Sequence, residues 1–327
     1  MVATPGAQCG PGSRPEPGIQ GRVPAGSANS GLWCNLTEVA HQGTSGGFKV
    51  LRYTDQQGHA CAFYDTALLF PTNAINLLGP SLGVAVLDMS DPAHPVQTDT
   101  LTQLPMESPH ESLSLNVKRG LLAAVNGNPA TEPGLVAIYD AHADCRHPVL
   151  DSTSPGGAGS DTRVASHPTG PRSTPPPRRC RRSRRSTSPI PSSPTRSGRA
   201  TWSPNLRLQV NQPADHHAAG GDPGTFSPAQ GYAAHYCNIP TRVDPKIVAC
   251  SFIASGLRVF DISQLTRPRE IGYFVAPTKP NTETGYTESD YAMSQPAFDS
   301  AGLSESGSNN LRARPCALFC SPGSTRR

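Results

Sequence analysis

Two histidines stand where strand-forming stretches begin, and imidazole is the commonest protein ligand for transition metals. His110 lies in Ser108-Pro-His-Glu-Ser112, and His235 lies in Ala234-His-Tyr-Cys237. Glu111 and Cys237 stand beside them as further donors. If the strands they open line a common axis, His110, Glu111 and His235 converge and could hold a metal or a small ligand. The plainer alternative is that each histidine bonds to its own strand start. Other chemistry is thin. His216 and His217 lie in a Pro/Gly/Asp-rich stretch and read as solvated loop. Gly-x-Ser-x-Gly occurs at Gly43–Gly47 and Gly79–Gly83, but each is followed by a strand-like run and not by the helix of a nucleophile elbow; a phosphate-cradling glycine loop and His-Glu-x-x-His are missing. Cys316-x-x-x-Cys320 has the spacing of half a zinc site, but no second Cys pair or His pair lies near it, so no metal is expected there. No catalytic residue is therefore assigned, and no cofactor is implied.

The elements that would position these residues announce themselves by a recurring phrase. Gly83-Val-Ala-Val-Leu-Asp88-Met-Ser-Asp-Pro-Ala-His-Pro95 is answered by Gly256-Leu-Arg-Val-Phe-Asp261-Ile-Ser-Gln-Leu-Thr-Arg-Pro268, with Gly, Asp and Pro at identical spacing. A looser copy runs from Gly134 through Asp140 to Pro148, with one residue added on each side of the Asp. Apolar runs such as Val84 to Leu87 suit buried strands, and the Asp-x-Ser tail is turn chemistry. Asp88, Asp140 and Asp261 read as turn caps rather than catalytic acids, because each stands where its strand ends. Further strand-like runs precede and follow each copy, for example Lys246 to Phe252 and Glu270 to Val275. Four short strands per unit make up a blade, so the expected fold is all-β, a β-propeller of four-stranded blades with a partial or incomplete ring. With 35 Pro and 31 Gly, turns are abundant enough for that class.

This strand-plus-turn phrase resembles the LVIVD repeat of bacterial secreted or surface β-propeller proteins. Gly46-Gly-Phe-Lys-Val, Ser108 to Ser112 with Lys118 to Val125, and Gly231 to Phe274 are similar to actinobacterial members. The resemblance spans about 5–160 and 204–297. It implies a propeller fold and a secreted or cell-surface location, and it supplies no defined molecular function. The expected function is therefore a non-catalytic binding or scaffold propeller for an unknown protein or polymer partner. The alternative is a metal-dependent hydrolase or oxidase with a His-lined central channel.

The resemblance breaks in the middle of the chain. Between Pro171 and Arg199 there are 9 Arg, 7 Pro and 7 Ser, with no acidic residue and no Lys. A disordered basic linker and an Arg/Ser segment binding nucleic acid are two readings. Translation in the wrong frame explains more. Read two bases later, Arg163 to Gly170 permits Gly-Gly-Phe-Ser-Pro-Asp-Gly, a turn typical of propeller blades. Arg185 to Pro191 likewise permits Ile-Asp-Val-Thr-Asp-Pro, the recurring phrase again. The concealed Asp then follows Asp140 by roughly 46 residues, against 52 between Asp88 and Asp140. Charge agrees. The chain carries 28 basic and 24 acidic residues; without those 9 Arg, 19 against 24 leaves −5. The remainder is mildly acidic, so nucleic acid is not an expected partner.

Domain expectations follow: an extended N-terminal segment over 1–45, blades over 46–160, the Arg/Pro/Ser-rich disordered or frame-shifted segment over 161–203, blades over 204–297, and a disordered tail over 298–327. There is no run of 18 apolar residues, hence no transmembrane helix is expected. No signal-type hydrophobic segment follows Met1, which leaves a cytoplasmic chain or a start placed after the leader. Cysteines favour export. Cys34 and Cys61 flank the first strand pair, and Cys237 and Cys250 fall on neighbouring strands, so these four are candidate disulfide partners. With Cys9 and Cys145 they make an even six, whose connectivity stays open, as does the reading of buried free thiols.

Overall fold

Apolar runs of five or six residues bounded by Asp, Gly and Pro become strands throughout the chain. The computed structural model describes residues 2–42, 49–66, 83–107, 109–126, 135–153, 206–225, 231–277 and 294–298, and the backbone of 304–308 and 316–322. All of these fall in one unit comprising Met1–Ser154 and Pro204–Arg327. The Arg-rich run and the concealed phrase lie outside the described residues.

The architecture is all-β. One sheet is a meander of β3 (Val50–Thr54), β4 (Ala60–Asp65), β5 (Val84–Asp88) and β6 (Val96–Leu101). After a single-turn helix α1 (Leu104–Glu107) comes a second meander, β7 (Ser114–Asn116), β8 (Leu121–Val125), β9 (Val136–Asp140) and β10 (Val149–Thr153). A short helix α2 (Pro213–Ala218) precedes the third: β11 (Ala234–Asn238), β12 (Ile247–Phe252), β13 (Gly256–Asp261) and β14 (Arg269–Val275). β1 (Leu32–Cys34) joins its outer edge beside β14. The fourth sheet takes β15 (Ala297–Phe298), β16 (Ser304–Ser308) and β17 (Cys316–Pro322) from late in the chain and adds β2 (Leu36–Gln42) from its start. Every pairing between these strands is antiparallel.

The central strands are apolar on both faces because both faces are covered. Cys61, Phe63, Val84 and Val86 pack on Leu122, Ala124, Ala137 and Tyr139 of the β7–β10 sheet. The alternate residues Ala62, Tyr64, Ala85 and Leu87 turn the other way, toward Val39 and Ala40 of β2. Leu36 of β2 and Phe298 then pack on Ala249, Leu257, Val259 and Phe274. The four sheets thus stack face to face in the order β7–β10, β3–β6, β2 with β15–β17, and β11–β14. The remaining face of β11–β14 is covered by Val23, Ala28, Leu208, Val210, Ala219 and Tyr232.

The three phrases take the same place, the third strand of a meander and its exit turn. After each Asp the next N–H bonds back to the strand before: Met89 to Ala60, Ala141 to Gly120, Ile262 to Lys246. The phrase glycines have a steric reason. A Cβ on Gly83 would sit 2.3 Å from the Leu101 carbonyl oxygen, and one on Gly256 would sit 2.3 Å from that of Phe274. In both, the neighbouring outer strand occupies the space a side chain would need.

Three segments depart from expectation. The run 298–327, read as a disordered tail, contains β16 and β17, because β2 offers a strand edge on which Ala317 to Pro322 form a ladder. The run 1–45, read as extended, contains β1 and β2, and its preceding coil is packed into the core through Val23 and Ala28. His216 and His217, read as loop, close α2, which Pro213 starts at a position where no backbone donor is needed.

Candidate functional site

Glu111 reaches its place through a 3₁₀ turn, His110–Ser112, that leads into β7. Ser112 anchors this turn: its hydroxyl accepts the Val125 N–H at 3.0 Å and donates to the Pro109 carbonyl at 2.6 Å. Lys49 Nζ donates to the Leu113 carbonyl at 3.1 Å just beyond. From the β11 side comes Tyr236, whose hydroxyl lies beside the Glu111 carboxylate. Its ionisation is pushed well above the usual phenol range by burial first, then by Glu111 and by the charge of Asp65. The His235 ring lies against Tyr236 edge-on, with centroids 4.2 Å apart. The β11–β12 register shifts between Ala234 and Tyr236, so a bulge at His235 brings two consecutive rings together.

Of the predicted ligand set, Glu111 and His235 are therefore linked through Tyr236, a residue that the sequence reading did not single out. The His110 side chain lies outside the described residues. Chemically, a tyrosine held neutral beside two carboxylates is a hydrogen-bond donor and not a nucleophile.

Among the described residues one group brings three metal-capable side chains together: Asp55, His59 and Asp144, with donor atoms within 4.8 Å of one another. Their oxygens are already engaged. Asp55 Oδ1 accepts the N–H groups of Gln57 at 2.8 Å and His59 at 2.9 Å. Asp55 Oδ2 accepts His59 Nδ1 and the Cys145 N–H, both at 2.9 Å. Asp144 is forked by the Arg146 guanidinium, at 2.9 Å to each oxygen. The arrangement fastens the β3–β4 turn to the β9–β10 turn, and an arginine in its midst opposes a cation. The Arg146 hydrogen bonds hold Asp144 well below the usual carboxylate range. For Asp55, burial acts upward but is outweighed by the Cys145 N–H and the other donors, so its carboxyl is also lowered.

Stability from these two groups is complete above the unfolded carboxylate value of about 4 and is lost as pH falls through their lower folded values. The urea midpoint is accordingly expected to drop between pH 5 and pH 2. Asp55→Asn is expected to flatten that drop, and an unchanged pH profile in the variant would contradict the assignment.

The turn aspartates act as caps. Asp88 accepts the Ser90 N–H at 2.8 Å, Asp140 the His142 N–H at 2.7 Å, and Asp261 the Ser263 N–H at 2.9 Å. Disulfides join Cys9 to Cys34, Cys61 to Cys145, and Cys237 to Cys250. Cys34 and Cys61 thus pair with Cys9 and Cys145, partners that spacing along the chain does not reveal.

A groove of about 430 Å³ runs along Pro5, Gly6, Gln8, Asn35, Arg269, Glu270 and Ile271. Its Asn35, Arg269 and Glu270 side chains are in use. Asn35 Nδ2 serves the Gln8 and Ile271 carbonyls, each at 2.9 Å. Glu270 is deeper, and belongs to a network that sequence reasoning missed. Arg258, fully buried, donates to Glu16 at 2.6 Å and to Glu270 at 3.0 Å, with its guanidinium 4.3 Å from the Tyr273 ring centre. Burial and Glu16 push the Tyr273 hydroxyl up to about 12. Gln20 Nε2 adds a bond to Glu270 at 2.9 Å. The signal was an arginine in the apolar phrase at the place where the other copies have Ala85 and Ala137.

No helix among the described residues is long and apolar enough to cross a membrane. No protein-family model matches the chain, and no curated protein matches it either.

Proposed function

We propose that this chain is a β-propeller scaffold of the LVIVD type, exported and non-catalytic, which presents its turns to a protein or polymer partner. One observation carries the reading. Four meander sheets pack face to face in series, and the fourth is completed by β2 from the start of the chain, the way a ring of blades is locked shut. The phrase at the third strand of three of these sheets supports a common blade. Three disulfides favour an oxidising compartment. Between the end of β10 and Leu206 lie 52 residues, room for the further blade that a shifted reading frame permits.

The metalloenzyme alternative draws on the Glu111–Tyr236–His235 contact and gains nothing from Asp55, His59 and Asp144, whose oxygens are taken up by N–H donors. Two measurements test the proposal. Translation of the coding DNA in three frames across 155–210 is expected to yield an uninterrupted blade; an intact single frame overturns the ring. Metal analysis of the frame-corrected protein is expected to find none, whereas stoichiometric metal that is lost in His110→Ala would establish the enzyme.

A further inference from the structure

Cys237 and Cys250 are directly opposed across the ladder between β11 and β12. β11 is the last strand of its sheet, so β12 is its one ladder neighbour among the described residues. That ladder is weakened by the bulge at His235. Beyond it, the side-chain anchors of β11 include the Asn238 Nδ2 bond to the Pro296 carbonyl at 2.8 Å, with Tyr236 set beside Glu111. Cys237 is exposed, whereas Cys250 is 1% exposed. The contrast is Cys61–Cys145, both ends of which are fully buried in the core between two sheets. Thiol–disulfide exchange needs a thiolate to reach a sulfur, so access separates the two links.

We propose that Cys237–Cys250 is a redox clasp on β11: a dithiol reductant opens it ahead of Cys61–Cys145, and opening releases β11 together with the Tyr236–Glu111 contact. The reductant thiolate attacks Cys237 Sγ, the disulfide breaks, and Cys250 leaves as a thiolate that takes a proton. The second thiol of the reductant then displaces Cys237, which is also protonated. Two electrons and two protons pass to the protein, and the reductant ends as its own disulfide. The inference stands on strand register and exposure, independently of the propeller reading.

The test uses the full chain, held in excess reduced dithiothreitol for graded times, acid-quenched, alkylated and mapped by peptide mass. Cys237 and Cys250 are expected to become alkylated together, at least tenfold faster than Cys61 and Cys145. Amide exchange over 234–238 is expected to accelerate roughly tenfold across the same step, while 121–125 stays protected. In the Cys237→Ser/Cys250→Ser variant that fast exchange is expected without reductant. Alkylation of Cys61 and Cys145 first or simultaneously, or unchanged exchange over 234–238 after reduction, overturns the proposal.

Discussion

Arg258→Ala is expected to lower the unfolding free energy by about 3–5 kcal/mol, the range for removing one partner of a buried charge network. The arginine side chain is fully buried, and its partners Glu16 and Glu270 have side chains 8% and 1% exposed. Truncation leaves two carboxylates facing each other in a space closed to solvent, with the Tyr273 ring facing a void. The loss reaches beyond one sheet, because Glu16 belongs to the N-terminal coil. Its carboxylate accepts the Gly21 N–H at 2.9 Å, and its own N–H donates to the Tyr273 hydroxyl at 2.7 Å. The coil is therefore expected to lose protection over 14–22 in amide exchange, before global unfolding. A triple variant, Arg258→Met with Glu16→Gln and Glu270→Gln, is expected to recover most of the loss, since it removes the unpaired charges along with the pair. A loss below about 1 kcal/mol for Arg258→Ala would show that water or rearrangement compensates the carboxylates.

Gly256→Ala is expected to cost about 3 kcal/mol or more. Its φ of +78° falls where a side chain is strained by about 1–3 kcal/mol, and the Phe274 carbonyl stands 2.3 Å from the added carbon. Gly83→Ala separates the two contributions. It meets the Leu101 carbonyl at the same 2.3 Å without a positive φ, so it reports the collision alone. Both strands would have to move away from their outer neighbours, and the β5–β6 and β13–β14 ladders start at those points. Thermal unfolding of the two single variants checks this. Changes within about 0.5 kcal/mol, the range of ordinary surface substitutions, would remove the steric account of the phrase.

How far the residues foretold this can be seen at particular positions. The phrase placed three strands and three caps, because Gly, Asp and Pro act locally and leave a pattern that needs no partner. Cys237 and Cys250 were legible as neighbours for the same reason: a 13-residue separation within one hairpin. Arg258 was not, because its value depends on Glu16, 242 positions away, and on a coil that no periodicity marks. Cys9 and Cys145 found their partners through tertiary folding alone. Tyr236 was passed over because its hydroxyl meets Glu111 from a different sheet. The tail misled because Ser304 to Ser308 has little apolar character, and its strand is defined by what it pairs with.

The ladder between β2 and β17 sets Thr37 opposite Ser321. Such a partnership joins positions 284 residues apart, so the ribosome must release everything between them before it can form. Until then β2 waits with an open side, exposed to any stray strand. Synthesis that stops short of residue 316 leaves it waiting permanently, and such fragments are expected to collect in inclusion bodies rather than accumulate as soluble intermediates.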